Sequence, residues 1–293
     1  MPSLQDSLLR WYAAKGRDLP WRKTRDPYAI LVSEVMLQQT QVDRVVSKYE
    51  AWLARYPDWK RLAAASRADV LKVWSGLGYN NRALRLHALA KTLVEQHGSK
   101  LPETEEELRK LPGIGPYTAG AITVFSYNRP GLCIDVNIER IVKRAFFTRR
   151  QHLTKEQLAT TFLRSFPKGR ATDWGNALMD LGSVVCTPST PNCAACPLSH
   201  GCRSRGERPE ERSERERKRQ SPFLGSNRWW RGRLLNVLAV EDGLSEAALY
   251  RKVEKQGRAG DGKKDGKLAF RSALAELKAE GVLHGTRKVS IKE

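Results

Sequence analysis

No stretch of this 293-residue chain approaches the roughly 18 apolar residues in a row that a membrane span needs. The first residues also lack the apolar centre of a secretory leader. Met1 to Asp18 reads instead as an amphipathic helix with Leu4, Leu8 and Trp11 on one face, which predicts a protein kept in the cytoplasm. Cysteine is scarce at five residues, and four of the five fall between 186 and 202. A secreted disulfide scaffold would scatter them, whereas a cytosolic group of this kind reads as a metal site. Strand signals are almost missing before residue 280, which excludes a sandwich or barrel for most of the chain. Acidic side chains are in deficit, 32 against 52 basic ones, for a formal charge of +20. The deficit runs through the chain, with 29 basic and 18 acidic residues in 1–202 and 23 and 14 in 203–293. That excess leaves the fold open but points to a polyanionic partner, nucleic acid or an anionic membrane.

What is present is helical period. Residues 27–56, 68–97, 104–111, 115–127, 135–147, 154–165 and 173–185 carry apolar side chains at three- and four-residue spacing. Gly76-Leu77-Gly78, Pro112-Gly113 and Arg129-Pro130-Gly131 mark loops between them. This length predicts roughly two domains. Residues 1–202 read as one all-α region closed by the cysteines. Residues 203–220 hold almost no apolar side chain and read as a charged linker, or as an exposed helix laced with Glu–Arg pairs. Beyond them, Leu234, Leu235, Val237 and Leu238 suit one helix. Leu244-Ser245-Glu246 opens a second, Leu268 to Leu277 makes a third, and Val289 and Ile291 alternate as in a short hairpin. Three helices and a hairpin in residues 221–293 predict a small winged-helix-like module.

Four features carry chemistry, and a basic–aromatic run in the tail adds a fifth signal. Cys186, Cys193, Cys196 and Cys202 form C-x6-C-x2-C-x5-C, a set that can hold a [4Fe-4S] cluster or a tetrahedral zinc. Only Cys193 and Cys196 make the close pair typical of zinc, so the spacing leans to the cluster. Cys133 stands apart in an apolar run and reads as a buried small hydrophobe. Leu111-Pro112-Gly113-Ile114-Gly115 sits between two helical segments. Its glycines permit a tight hairpin whose amides approach a phosphate, with a helix N-terminus behind them; a plain helix turn is the alternative. Asp135 follows an apolar pair at a helix start, as an N-cap or as a working carboxylate. Glu34 lies between Ile30-Leu31-Val32 and Val35-Met36-Leu37. There it is either on a polar helix edge or buried with a raised pKa, ready to act as a general acid. Arg228-Trp229-Trp230-Arg231 interleaves cations and aromatics, for phosphate contact with stacking or as an anchor for the tail.

Taken in order, the first four features resemble the helix-hairpin-helix DNA glycosylase superfamily that includes endonuclease III, and within it the MutY branch of adenine DNA glycosylases. The stretches that carry the resemblance are Leu19 to Arg22, Pro27-Tyr28, Ser33 to Val42, Gly76 to Tyr79, Leu111 to Ile122, Asp135 to Arg140 and Met179 to Cys202. The resemblance implies an all-α, two-lobed fold: a six-helix lobe over about 22–133 and a cluster lobe from 1–21 with 134–202. It implies a [4Fe-4S] cluster on Cys186, Cys193, Cys196 and Cys202. Glu34 matches the acid that protonates a flipped adenine, and Asp135 matches the carboxylate that steadies the positive sugar. Gln39 and Thr40 match residues that enter the duplex and contact the opposite purine. Trp21, Arg22 and Leu37 match the wall of the base pocket. Tyr79, with Leu77 beside it, matches a wedge next to the lesion, and Gly113 and Gly115 match the backbone grip. Tyr117 stands where bifunctional members carry their Schiff-base lysine, which implies an abasic product without imine-driven nicking.

The departures are specific. Asp135-Val136-Asn137-Ile138 replaces the family's frequent Asp-Gly-Asn-Val, and Asn80 replaces a second tyrosine. Asn176 stands where a longer Gln or Glu often reads the adenine edge. Residues 221–293 are too short and helical for the usual MutT-like domain, so discrimination of oxidised guanine is expected to be weaker or to come from elsewhere. The expectation is a monofunctional glycosylase that excises adenine opposite guanine or oxidised guanine. It would act as a monomer on double-stranded DNA, at the nucleoid of a prokaryotic cytoplasm. Thymine excision from G·T pairs is the alternative, and a non-catalytic DNA-binding redox sensor the third reading.

Overall fold

The computed structural model describes residues 3–148, 153–207, 223–255 and 266–291. The predicted linker falls mostly outside them. Fourteen helices run through the described residues: α1 Leu4–Lys15, α2 Pro27–Leu37, α3 Val42–Arg55, α4 Trp59–Ala63, α5 Arg67–Trp74, α6 Asn81–Gln96, α7 Glu105–Leu108, α8 Pro116–Phe125, α9 Val136–Phe146, α10 Lys155–Ser165, α11 Ala171–Val184, α12 Asn227–Leu238, α13 Glu246–Lys255 and α14 Gly266–Ala279. None of them is long and apolar enough to cross a membrane. A single antiparallel ribbon, β1 Leu283–His284 with β2 Ser290–Ile291, ends the described chain. The all-α expectation holds.

The chain divides into two compact units. One holds Met1–Glu34 and Leu101–Arg217, and the other Val35–Lys100 and Lys218–Glu293. The boundary falls inside α2, between Glu34 and Val35. In the first unit, starts are set by side chains: Ser3 caps α1 through the Asp6 amide at 3.1 Å, and Thr154 and Gln157 cap α10 reciprocally. Its core gathers Leu8, Val124, Ile141, Val142, Phe162, Trp174 and Leu181. Gly120 lets α8 touch the extended chain at Leu132, where an added Cβ would lie 2.4 Å from a backbone carbon.

In the second unit, two long helical patterns are broken. The 27–56 pattern stops at Gln38–Gln41, with Gln39 at φ 55°. The 68–97 pattern stops at Ser75–Asn80, with Gly76, Gly78 and Tyr79 at φ 93°, 73° and 49°. Apolar periodicity alone runs across both breaks, and Gly76-Leu77-Gly78 marked the second of them in the sequence. The C-terminal segment supplies α12 to α14 and the ribbon, and Leu244 bridges to Val289. This is the predicted order of a winged helix. Trp229 and Trp230 are 5% and 4% exposed, edge to face at 4.8 Å, inside its core with Leu249, Phe270 and Leu277. They anchor the segment and offer no face for stacking on bases. Leu71 of α5 belongs to the same apolar cluster.

Candidate active site

The first unit assembles a buried acid. Glu34, 7% exposed, lies on α2 behind Ile30 and Leu31. Burial pushes its carboxyl up from 4.5 to about 7; a hydrogen bond from the Tyr117 hydroxyl and the Arg22 charge oppose the rise, and the charge of Asp135 adds to it. The neutral form is therefore substantially populated near neutrality. Burial and Glu34 together hold the Tyr117 phenol well above its ordinary value, so it remains a donor.

Asp135 is the N-cap of α9, and its carboxyl accepts from Ile138 N at 2.7 Å, Asn137 N at 3.0 Å and Asn137 Nδ2 at 2.9 Å. The N-cap reading of Asp135 is the one the geometry shows, and the charge of the same carboxyl acts on Glu34 and Tyr117. Asn137 is fixed in turn. Its Oδ1 accepts from Arg140 NH2 at 2.8 Å; the same nitrogen donates to Gly182 O at 2.7 Å, and Arg140 Nε donates to Cys186 O at 2.8 Å. Gly182 permits this approach, since a Cβ there would sit 2.6 Å from that of Asn137.

Arg22 is committed to Asp180, which is 1% exposed in its side chain. Two bonds of 2.8 Å run between them, and Arg17 adds one from Nε at 2.6 Å and one from its backbone N at 2.9 Å. Trp21 is buried on the short turn before it, and Asn176 is buried on α11. The hairpin follows as predicted: Gly113 takes φ 82°, Leu111 and Ile114 point inward, and Gly115 caps α8 with Pro116 in its first turn. Cys133 is fully buried among apolar neighbours.

Leu37, Gln39, Thr40, Leu77 and Tyr79 belong to the second unit. Leu77 is buried, Gln39 is exposed, and Tyr79 is 46% exposed. A residue absent from the sequence reading organises them. Arg82, 8% exposed, donates to Val35 O at 2.8 Å, Met36 O at 2.9 Å, Gln38 O at 2.5 Å, Gly78 O at 3.0 Å and Thr40 Oγ1 at 3.1 Å. One guanidinium thus satisfies the carbonyl end of α2 and the loop before α6. A lone cation at the start of the apolar face Ala83-Leu86-Ala90-Leu93 was the available signal. Asp180, flanked by Leu178 and Leu181, gave a similar one.

The four clustered cysteines are all free thiols. Their chain has no helix; Arg144 donates to Cys186 Sγ at 3.4 Å, and Cys202 Sγ donates to Arg144 O at 3.4 Å. Burial, and then the charges of Cys186, Cys202 and Cys193, push the Cys196 thiol up to about 11, which places the four within electrostatic reach of each other. Among the described residues no group of three or more His, Cys, Asp or Glu has the geometry to hold a metal ion as it stands.

A family model described as HhH-GPD superfamily base excision DNA repair protein matches residues 32–168. The adenine DNA glycosylase of Mycobacterium tuberculosis is 39% identical over 242 residues, covering 80% of this chain and 78% of that protein. A solved thermostable thymine-DNA glycosylase aligns with a TM-score of 0.64 and 28% identity, over 68% of this chain and 93% of its own. A non-covalent endonuclease III–DNA complex shares the fold at a TM-score of 0.58 and 23% identity, covering 74% and 100%.

Proposed function

This chain belongs to the adenine DNA glycosylases of the HhH-GPD superfamily of base excision DNA repair proteins, and we propose that it hydrolyses the N-glycosidic bond of adenine mispaired with guanine or oxidised guanine. The observation that carries the reading is Glu34: a buried carboxyl at about 7, bonded to Tyr117 and faced by Asp135. The target base leaves the stack at a cost of a few kcal/mol, which a mispair lowers. Glu34 gives its proton to the base, so the electron pair of the breaking C1′–N bond departs on a neutral leaving group. The sugar left behind is a cation, and the Asp135 carboxylate offsets its charge, as in glycoside cleavage. Water adds at C1′, and the proton it loses restores Glu34. Tyr117 holds Glu34 in place and provides no amine, so the product is an abasic site.

Trp21, Asn176 and Leu37 are assigned to the base pocket, with Arg22 positioned by Asp180. Gly113 and Gly115 are assigned to the DNA backbone, and Gln39, Thr40, Leu77 and Tyr79 to the duplex around the lesion. Cys186, Cys193, Cys196 and Cys202 fit a thiolate-bound group: four free donors on a loop with little core of its own, next to two arginines. A [4Fe-4S] cluster there would crosslink the loop and supply one-electron chemistry. Hydrolysis itself runs on Glu34, Asp135 and water.

A gel assay with A·oxidised-G, A·G and T·G duplexes, alkali-treated after incubation, tests the proposal. Cleavage of the adenine strand is expected. Cleavage of the T·G duplex alone would favour thymine excision, the reading that the likeness to a thymine-DNA glycosylase supports. Cleavage of none would leave a DNA-binding protein without this activity.

A further inference from the structure

Tyr79 is a large aromatic, 46% exposed, on a loop whose Gly76, Gly78 and Tyr79 all take positive φ. A bulky side chain in that region is disfavoured and persists only where its surroundings over-determine it. From within, Arg82 donates to Leu77 O at 3.3 Å and Gly78 O at 3.0 Å, and its guanidinium lies 5.5 Å from the Tyr79 ring. From without, both ends of the loop are tied to the C-terminal segment. Ser75 Oγ donates to Asn236 Oδ1 of α12 at 2.7 Å, and Asn81 Nδ2 donates to Glu280 Oε2 at 2.6 Å. Arg231 of α12 holds Glu280 in turn at 2.6 Å, and Leu71 and Leu84 seat the segment on α5 and α6.

We propose that residues 227–255 and 266–291 of the C-terminal segment brace this loop, so that Tyr79 can press into duplex DNA without being driven back by the base stack. The inference rests on reading the protein as a DNA glycosylase. It gives the segment a role in lesion recognition through the loop rather than through base contact. An exposed aromatic with a fixed backbone suits stacking on a base, whatever the base is. The tethers at Ser75 and Asn81 flank the loop on either side and come from opposite ends of the segment, one from α12 and one from the residue after α14.

The test combines Asn236→Ala with Glu280→Ala in the full chain, with Tyr79→Ala as benchmark. A 2-aminopurine beside the mispair reports unstacking by an inserted side chain as a rise in fluorescence. The double variant is expected to lose at least half of that rise. Its preference for mispaired over fully paired duplex should fall about tenfold, within the roughly 5- to 150-fold that one lost base–aromatic stack brings. The salt dependence of binding should stay as it is, because no cation is removed. Glu280→Gln, which keeps an acceptor for Asn81, should retain the preference. Ser75→Ala with Asn81→Ala breaks the same two bonds from the other side and must give the same loss. An unchanged rise and preference would overturn the proposal. So would an equal weakening on every duplex, or a wild type that gives no rise. The fluorescence needs no excision, so an enzyme inactive on adenine would overturn the proposed function and leave this readout deciding the brace.

Discussion

Replacing Glu34 by Gln should damage activity and stabilise the fold, and the second effect should depend on pH. The folded carboxyl titrates at about 7 and the unfolded one at 4.5. Between those values the folded state holds a proton that the unfolded state has released. Stability contributed by this group is therefore fully present below 4.5 and is lost as pH rises toward 7. The shift of about 2.5 pKa units is worth ~3 kcal/mol at 1.36 kcal/mol per unit. The substituted amide cannot ionise and keeps an oxygen to accept from Tyr117. The stability difference between variant and wild type should thus grow by ~3 kcal/mol in favour of the variant between pH 4.5 and pH 8. Urea titrations at half-unit pH intervals measure it directly. Over the same range, single-turnover adenine excision should fall by roughly 10²–10⁴-fold, the usual loss on removing a proton donor, with mismatch binding preserved. A difference that is flat with pH would show that Glu34 is not a buried neutral acid, and the mechanism would lose its proton source.

Further outcomes follow from the same geometry. Asp135→Asn should reduce excision as strongly as Glu34→Gln while α9 stays capped, which circular dichroism checks. Arg140→Gln cuts the bonds to Asn137, Gly182 and Cys186. It should lower the single-turnover rate by up to about 10²-fold, typical of a misplaced group, with little change in duplex affinity. Gly182→Ala forces Asn137 away and should cost about 1–3 kcal/mol by overpacking, with a parallel loss of excision. The purified protein should be brown, with one iron–sulfur cluster by metal analysis. The colour should vanish on replacing any of Cys186, Cys193, Cys196 or Cys202 and survive Cys133→Ser; stoichiometric zinc in a colourless protein would refute the assignment.

The helices were legible because their apolar spacing is a local signal that burial then enforces. The C-terminal segment was legible for the same reason, down to Val289 and Ile291 in the ribbon. Its placement was not, because the contacts of Leu71 with the tail cluster and of Asn81 with Glu280 join residues some 200 positions apart, and no local period encodes them. The loop at Gln38–Gln41 was hidden for a related reason, whereas Gly76-Leu77-Gly78 marked the one at Ser75–Asn80. Gln39, and Tyr79 just after the two glycines, take positive φ values that their residue types do not announce, and what permits them is Arg82.

The candidate site divides along the same line. Glu34 and Asp135 could be picked from their neighbours in sequence, yet each had an ordinary alternative that sequence could not dismiss. Glu34 needed its burial and the bond from Tyr117. Asp135 is the N-cap, its carboxyl oriented by two amides and by Asn137 as a third donor from the same turn, and its proposed working role uses that same orientation. The capping geometry that stabilises α9 is therefore also what aims the carboxylate. Arg140 extends that order to the carbonyl of Cys186, so the first of the four grouped cysteines and the carboxylate share one chain of hydrogen bonds. A fold that must hold an acid neutral and a carboxylate fixed beside it gains rigidity there and loses stability. The ~3 kcal/mol carried by Glu34 above neutrality measures that loss.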